Sequence, residues 1–311
     1  MHFTTSALLL AASTLTTAQT YTNSPSTKRG LVFVPNSLYP GDNQVWVQPG
    51  SDLTWYYNYG VQPSPAYANR SQEEFEFVPM LWSPTTTFLS DVTALIKGGR
   101  NISHILAYNE PDGTAATGGS NITPEVAAAN WISQIEPLRK LGVKTGAPAV
   151  TAAGATWLQE FFAACASQGT NCTADFFPVH SYDNWGGLSY HITTMHSNYP
   201  DAPVWVTEYA YSNQTLEVTQ DFFNQSASYM DNLTYVDRYA WFGTFRTEVS
   251  NVGPNAAFLN NQGKLTDMGE WWVGKAATGV QPGGSSSAAG RNAVEMGLGL
   301  VAAAVVGLLA L

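Results

Sequence analysis

Charged side chains are scarce in this sequence. Asp, Glu, Lys and Arg make up 12% of its 311 residues, about half the share usual in a globular domain. Only 13 Lys and Arg stand against 23 Asp and Glu, a net charge of −10, and no segment gathers the basic residues. Tracking nucleic-acid phosphates needs a basic patch or stripe, so nucleic-acid partners are excluded. Cysteine is nearly absent: 2 residues cannot build a disulfide scaffold or a cysteine-ligated structural zinc site. The 5 histidines are scattered, with no His-x-x-x-His pair beside a partner Glu, so no metal and no cofactor is expected. What the chain does have is 44% apolar residues, 13% aromatic residues and 10 tryptophans. Such a composition is incompatible with disorder and requires a sizeable buried core.

Both ends read as addresses. Residues 1–18 contain the uncharged run Ala7-Leu8-Leu9-Leu10-Ala11-Ala12 and end Thr16-Thr17-Ala18, which predicts a signal peptide cleaved before Gln19. Residues 279–292 are a flexible, Gly/Ser-rich linker, and residues 293–311 form an apolar tail without charge from Met296 onward. A short, glycine-containing tail with no basic flank behind it suits a GPI attachment signal better than a spanning helix. Ser286 is the attachment residue we assign. A cell-surface location follows, with a membrane link through the anchor alone. Seven Asn-x-Ser/Thr sequons, at Asn69, Asn101, Asn121, Asn171, Asn213, Asn224 and Asn232, agree with secretion. In that oxidising setting Cys165 and Cys172 read as a local disulfide closing a short loop, against the alternative of two buried thiols.

Between the ends, short apolar runs alternate with helix-compatible stretches. The runs are 30–34, 53–57, 75–82, 102–108, 143–147, 176–180, 203–207 and 236–242. Helices are expected at Pro124 to Leu141, at Gln220 to Asn232, and as a closing element from Thr266 to Ala277. Such alternation argues for a parallel sheet. Eight units over about 250 residues match a single-domain (β/α)8 TIM barrel across residues 28–278. A doubly wound open sheet is disfavoured because no Gly-x-Gly-x-x-Gly follows the first run.

In a barrel, chemistry sits where strands end. The fourth run ends Tyr108-Asn109-Glu110-Pro111 and the seventh ends Thr207-Glu208-Tyr209. A carboxylate directly after an apolar strand is costly to bury without a task or a partner. Asn58, Trp82, His180, Tyr182, Trp185 and Trp241 fall at or just after other strand ends. Carboxylates ringed by aromatics fit glycoside hydrolysis, in which two carboxyls flank the scissile bond and rings cover the C–H faces of sugars. Glu110 then acts as acid and base, and Glu208 as a nucleophile oriented by Tyr182 or His180. Asn109 is expected to donate to the sugar 2-OH. Trp131, Trp157, Trp271, Trp272, Trp55 and Trp205 read as packing, and Glu73, Glu74 and Glu76 as a solvated face.

These residues resemble something known. Lys28-Arg29-Gly30-Leu31, Leu106 through Asp112, Phe176 through Tyr182, Pro203 through Glu208, and Tyr239 through Gly243 are together similar to the fungal glycosyl hydrolase catalytic core proteins, glycoside hydrolase family 128. The resemblance spans about residues 28–278. It implies a retaining (β/α)8 glycosidase that cleaves β-1,3-glucan, with the strand-four Glu as acid/base and the strand-seven Glu as nucleophile. It also implies the Cys165–Cys172 pairing. The family often places an aromatic directly after the strand-six His, where this chain has Ser181 and then Tyr182. We expect a monomer engaged in processing cell-wall glucan. Rival readings are a glucan transglycosylase, a non-catalytic glucan-binding or wall-structural protein, and a hydrolase of another β-glycan.

Overall fold

The structure is a computed structural model that describes residues 26–283. The signal peptide, Ser286 and the apolar tail lie outside those residues. No described helix is long and apolar enough to cross a membrane.

Eight strands fall in the eight apolar runs. They are β1 (Gly30–Val32), β2 (Trp55–Tyr57), β3 (Glu76–Phe77) and β4 (His104–Ile105). The remainder are β5 (Lys144–Thr145), β6 (Phe177–Ser181), β7 (Val204–Tyr209) and β8 (Val236–Trp241). All paired strands are parallel, in three small sheets ordered β1-β2-β3, β4-β5 and β6-β7-β8. Single parallel bridges link one sheet to the next: Met80 with Leu106, Gly146 with Phe176, and Arg29 with Tyr239. The result is a TIM-barrel-like α/β fold, although the regular ladders are short and do not run continuously around it.

From the third strand onward the connections are helical. They are α1 (Phe88–Lys97), α2 (Pro124–Gln134), α3 (Glu136–Arg139), α4 (Ala155–Ser167), α5 (Trp185–Asn198), α6 (Leu216–Asn232) and α7 (Asp267–Trp272). The expected single helix from Pro124 to Leu141 is broken at Ile135. Pro137 has no N–H to give Ser133, and its ring collides with the carbonyl there. The connections after β1 and β2 depart further from a regular (β/α)8 plan. They carry only 3-10 turns, at Pro40–Val47 and Pro65–Tyr67. Both segments begin with proline, and Gly41 and Gly50 further disfavour a continuous α-helix.

Alternation along the strands sorts the side chains into two clusters. Val32, Trp55, Tyr57, Phe176, Trp205 and Ala240 share a common interior. There, Trp205 of β7 meets Trp55 of β2 at 5.4 Å between ring centroids and His104 of β4 at 5.1 Å. Glycine makes room for these rings, since a Cβ on Gly30 would lie 2.1 Å from the Trp55 indole. The larger cluster packs the opposite strand face, including Leu31, Tyr56, Phe77 and Val206, against Trp131, Phe161, Leu188 and Phe223 of the helices.

Cys165, near the end of α4, is disulfide-bonded to Cys172. Six of the sequon asparagines are exposed. Asn224 is the exception: it is half-buried on α6 with its Oδ1 sealed and unpaired, a poor acceptor for a bulky glycan.

Candidate active site

Because the strands are parallel, all their C-terminal ends face one way, and the two carboxylates meet there. Glu208 lies within β7, where the pairing slips. Val179 pairs with Val206, yet the next β6 residue, His180, pairs with Glu208, leaving Thr207 as an extra residue. Strict alternation from the inward Trp205 would turn Glu208 outward. The bulge resets the phase and aims it inward, opposite His180. Glu110 follows β4 with φ +39, a sparsely populated conformation for a side chain of this size. Its amide donates to the Ala149 carbonyl (2.7 Å), and its own carbonyl accepts from Gly113 (2.8 Å). Gly119 closes over that turn so tightly that a Cβ there would stand 2.6 Å from the Glu110 carbonyl oxygen.

His180 connects the two acids. Its Nδ1 lies 3.0 Å from Glu110 Oε1 and 3.6 Å from Glu208 Oε2. One ligand-type atom from each of Glu110, His180 and Glu208 falls within 4.8 Å of the others. Glu208 itself is buried and accepts from three phenols. Tyr59 donates to Oε1 at 2.8 Å, Tyr57 to the same oxygen at 3.3 Å, and Tyr182 to Oε2 at 2.5 Å. Burial lifts all three phenols well above the ordinary tyrosine range, and the Glu208 charge lifts them further, so each remains a donor. Burial pulls His180 down, but the charge of Glu208 and the bond to Glu110 outweigh it and hold the imidazole above its usual value. The triad has the atom types of a cation site, but its oxygens already face hydroxyl and imidazole donors. That donor set suits carboxyl oxygens oriented by hydrogen bonds better than oxygens awaiting a metal.

The other sequence candidates divide. Tyr182 sits at the mouth, 36% exposed, its hydroxyl sunk against Glu208 and its ring edge-on to Phe242. Asn109 is buried, and its amide nitrogen donates to the Gly118 carbonyl (3.0 Å) while Oδ1 is sealed and unpaired. The unpaired atom is therefore an acceptor, not the donor expected. Asn58 ties its own turn, donating to Gln62 and accepting from Gly60. Trp82 is half-buried against the interior cluster. Two tryptophans expected to stack on sugar are occupied elsewhere. Trp241 is fully buried, stacked on Phe258 with its indole N–H on the Ala256 carbonyl. Trp185 begins α5 and packs edge-on against Tyr229 of α6. In both cases the ring turned toward the helical layer, where more apolar surface was available to cover it.

Tyr57 and Tyr59 were not singled out in the sequence. Tyr57 was legible as the inward partner of Trp55 at the end of a strand. Tyr59 was not, because its reach depends on a left-handed backbone, φ +61.

The sequence pattern of the family described as glycosyl hydrolase catalytic core matches residues 30–272. The alkali-sensitive linkage protein 1 of Schizosaccharomyces pombe is 30% identical over 261 residues, which is 81% of this chain and 45% of that protein. The chain thus spans less than half the length of that curated relative. Among solved structures, a family 128 subgroup II endo-β-1,3-glucanase from Pseudomonas viridiflava is 25% identical, with a TM-score of 0.66 over 81% of this chain and 99% of that one. A subgroup III curdlan-specific exo-β-1,3-glucanase from Blastomyces gilchristii, in complex with glucose, is 26% identical, with a TM-score of 0.62 over 80% and 99%.

Proposed function

The chain belongs to the glycosyl hydrolase catalytic core family, and from that premise we propose that it hydrolyses β-1,3-glucan with net retention at the anomeric carbon. The observation that carries this reading is the spacing of the acids. One carboxyl oxygen of Glu110 lies within 4.8 Å of one of Glu208. Retaining glycosidases hold their carboxyls about 5 to 5.5 Å apart, whereas inverting ones leave roughly 6.5 to 9.5 Å for a water.

On this reading Glu208 attacks the anomeric carbon as Glu110 gives its proton to the departing glycosidic oxygen. The C–O bond to the leaving sugar breaks, and an ester to Glu208 forms. Glu110, now ionised, takes a proton from water, whose oxygen displaces Glu208 and completes hydrolysis. Tyr57, Tyr59 and Tyr182 hold the carboxylate in line for attack and stabilise it again as the leaving group of the second step. His180 restrains Glu110 beside the same bond through its Nδ1, 3.0 Å from Glu110 Oε1. A closed (β/α)8 barrel, supported by the inter-sheet bridges, would provide the rigid frame for this spacing.

The same proposal extends to location. Residues 1–18 would direct secretion, and residues 279–311 would carry GPI attachment at or near Ser286. The protein would then act as a monomer on wall glucan at the cell surface. Exposed sequons and an oxidised cysteine pair support that setting. Release from membranes by a phosphatidylinositol-specific phospholipase would test the anchor.

The mechanism is tested with β-1,3-linked glucose oligomers, following product length and anomer by NMR. We expect shorter products released first as the β-anomer, and a Glu208→Gln variant slower by at least about a thousandfold. A Glu208→Gln variant as fast as the parent would overturn the mechanism. Products longer than the substrate would instead assign a transglycosylase, and binding without product a glucan-binding protein.

A further inference from the structure

The connection after β1 carries two exposed apolar side chains, Leu38 at 81% and Tyr39 at 44% exposure. Exposure of one aromatic is ordinary. What is unusual is how firmly this ring is held. The guanidinium of Arg246 lies over the Tyr39 ring, 3.4 Å from its centroid, and so covers one face. Arg246 is itself buried, bound by Asp42 through Nε at 2.6 Å and Nη2 at 3.0 Å, and donating from Nη1 to the Asn261 carbonyl. The Tyr39 backbone is pinned too. Its amide donates to Asn36 Oδ1 (2.9 Å), and its carbonyl accepts from Asp42 (2.9 Å). Asn36 in turn donates to Asp42 Oδ2 and bonds Asn43 in both directions. With Arg246 over one ring face, Tyr39 still keeps 44% of its surface exposed on an ordered base.

Position gives that exposed surface a purpose. Leu38 and Tyr39 follow the C-terminal end of β1, and Arg246 follows the C-terminal end of β8. Both connections therefore lie at the end of the fold where Glu110 and Glu208 meet. The strand ends are directly tied. Thr244 donates to the Val32 carbonyl, and the Phe33 amide to that of Tyr57, whose hydroxyl reaches Glu208. A fixed aromatic face beside a site for a neutral polymer offers the apolar C–H side of a sugar ring a surface with little ordering cost.

We propose that Tyr39, backed by the Arg246–Asp42 pair and flanked by Leu38, is a remote stacking platform for a β-1,3-glucan chain extending from the two acids, and so sets the enzyme's preference for longer substrates. This rests on the proposed glucan substrate. Tyr39 touches neither reacting carboxylate, and it would bind glucose units away from the scissile bond. Short oligomers that fill only the acid site would not reach it.

The test compares trimers and hexamers of β-1,3-linked glucose with the parent chain, Tyr39→Ala and Tyr39→Phe. Tyr39→Ala is expected to raise KM for the hexamer about two- to tenfold, while kcat and all constants for the trimer stay within error. Tyr39→Phe keeps the ring and should match the parent. Thermal midpoints report whether the Ala variant remains folded, and binding of the hexamer is measured by calorimetry. An unchanged hexamer KM, or an equal loss on trimer and hexamer, overturns the platform while leaving the hydrolase reading intact. If the parent binds the hexamer without cleaving it, and Tyr39→Ala weakens that binding, the platform stands and hydrolysis falls. A parent that neither binds nor cleaves overturns both.

Discussion

Glu208 is buried, and the chain surrounds its carboxyl oxygens with phenol donors. Tyr59 makes the shorter bond to Oε1, 2.8 Å against 3.3 Å from Tyr57. A hydrogen bond to a charged group contributes about 1.5 to 3 kcal/mol. Tyr59→Phe keeps the ring and removes only the hydroxyl, so we expect kcat to fall roughly tenfold to a hundredfold with the thermal midpoint little changed. Steady-state kinetics beside a melting curve would separate the two; equal kcat would mean that Tyr57 alone orients the oxygen. The sequence pointed to both acids because each stands directly after an apolar strand. It did not point to Tyr59, whose contribution depends on a backbone turn that no residue pattern announces.

At the level of elements, two local irregularities place the acids. The β7 bulge turns Glu208 inward, and the turn after β4 holds Glu110 in a left-handed conformation. Gly119 is the tightest point of that turn, where a Cβ would come within 2.4 Å of the Gly113 carbonyl carbon. Asp112 anchors the same turn to the β5 connection, accepting from the Thr151 amide at 2.9 Å and its hydroxyl at 2.5 Å. Overpacking against fixed backbone costs about 1 to 3 kcal/mol. Gly119→Ala should therefore lower stability by about that amount and reduce kcat, because the atom displaced is the Glu110 carbonyl. A variant that lost stability but kept the parent's kcat would show that the turn relaxes without moving the carboxyl. The apolar pattern predicted all eight strands but neither irregularity. A bulge depends on the register between two chain segments, and register is set by partners distant in sequence.

Over the whole molecule, the end opposite the acids is held by charge. Glu76 of β3, which reads in sequence as part of a solvated face, is half-buried. It bonds Arg238 of β8 at 2.6 Å, and His104 of β4 and Ser103 at 2.9 and 2.7 Å. Arg238 also lies 4.2 Å from the Trp205 ring centroid. One carboxylate thus ties strands from all three sheets. Burial alone would raise Glu76, but the bond to His104 and the charge of Arg238 overcome it and bring the carboxyl down to about 2. A carboxyl that is more acidic folded than unfolded contributes stability at pH above its unfolded value, near 4.5. That contribution is lost as pH falls toward 2. Glu76→Gln should lower the thermal midpoint at neutral pH and flatten its fall between about pH 4.5 and 2. A parallel fall in parent and variant would locate the acid-sensitive groups elsewhere.

The sequence by itself determined the order of the eight strands, the absence of any basic surface, and the pair of acids at the ends of strands four and seven. Those features are local: an apolar run and the residue that ends it are read without knowing what they touch. The tertiary structure alone decided which side chains surround the acids. Trp241 and Trp185 stand at or just after strand ends as plausibly as Tyr182 does, yet they pack into the helical layer while Tyr182 reaches Glu208. A strand-end ring goes wherever neighbouring elements leave apolar surface to cover or a charge to satisfy. Those neighbours come from segments far apart in the chain, as Tyr59 and Glu208 do.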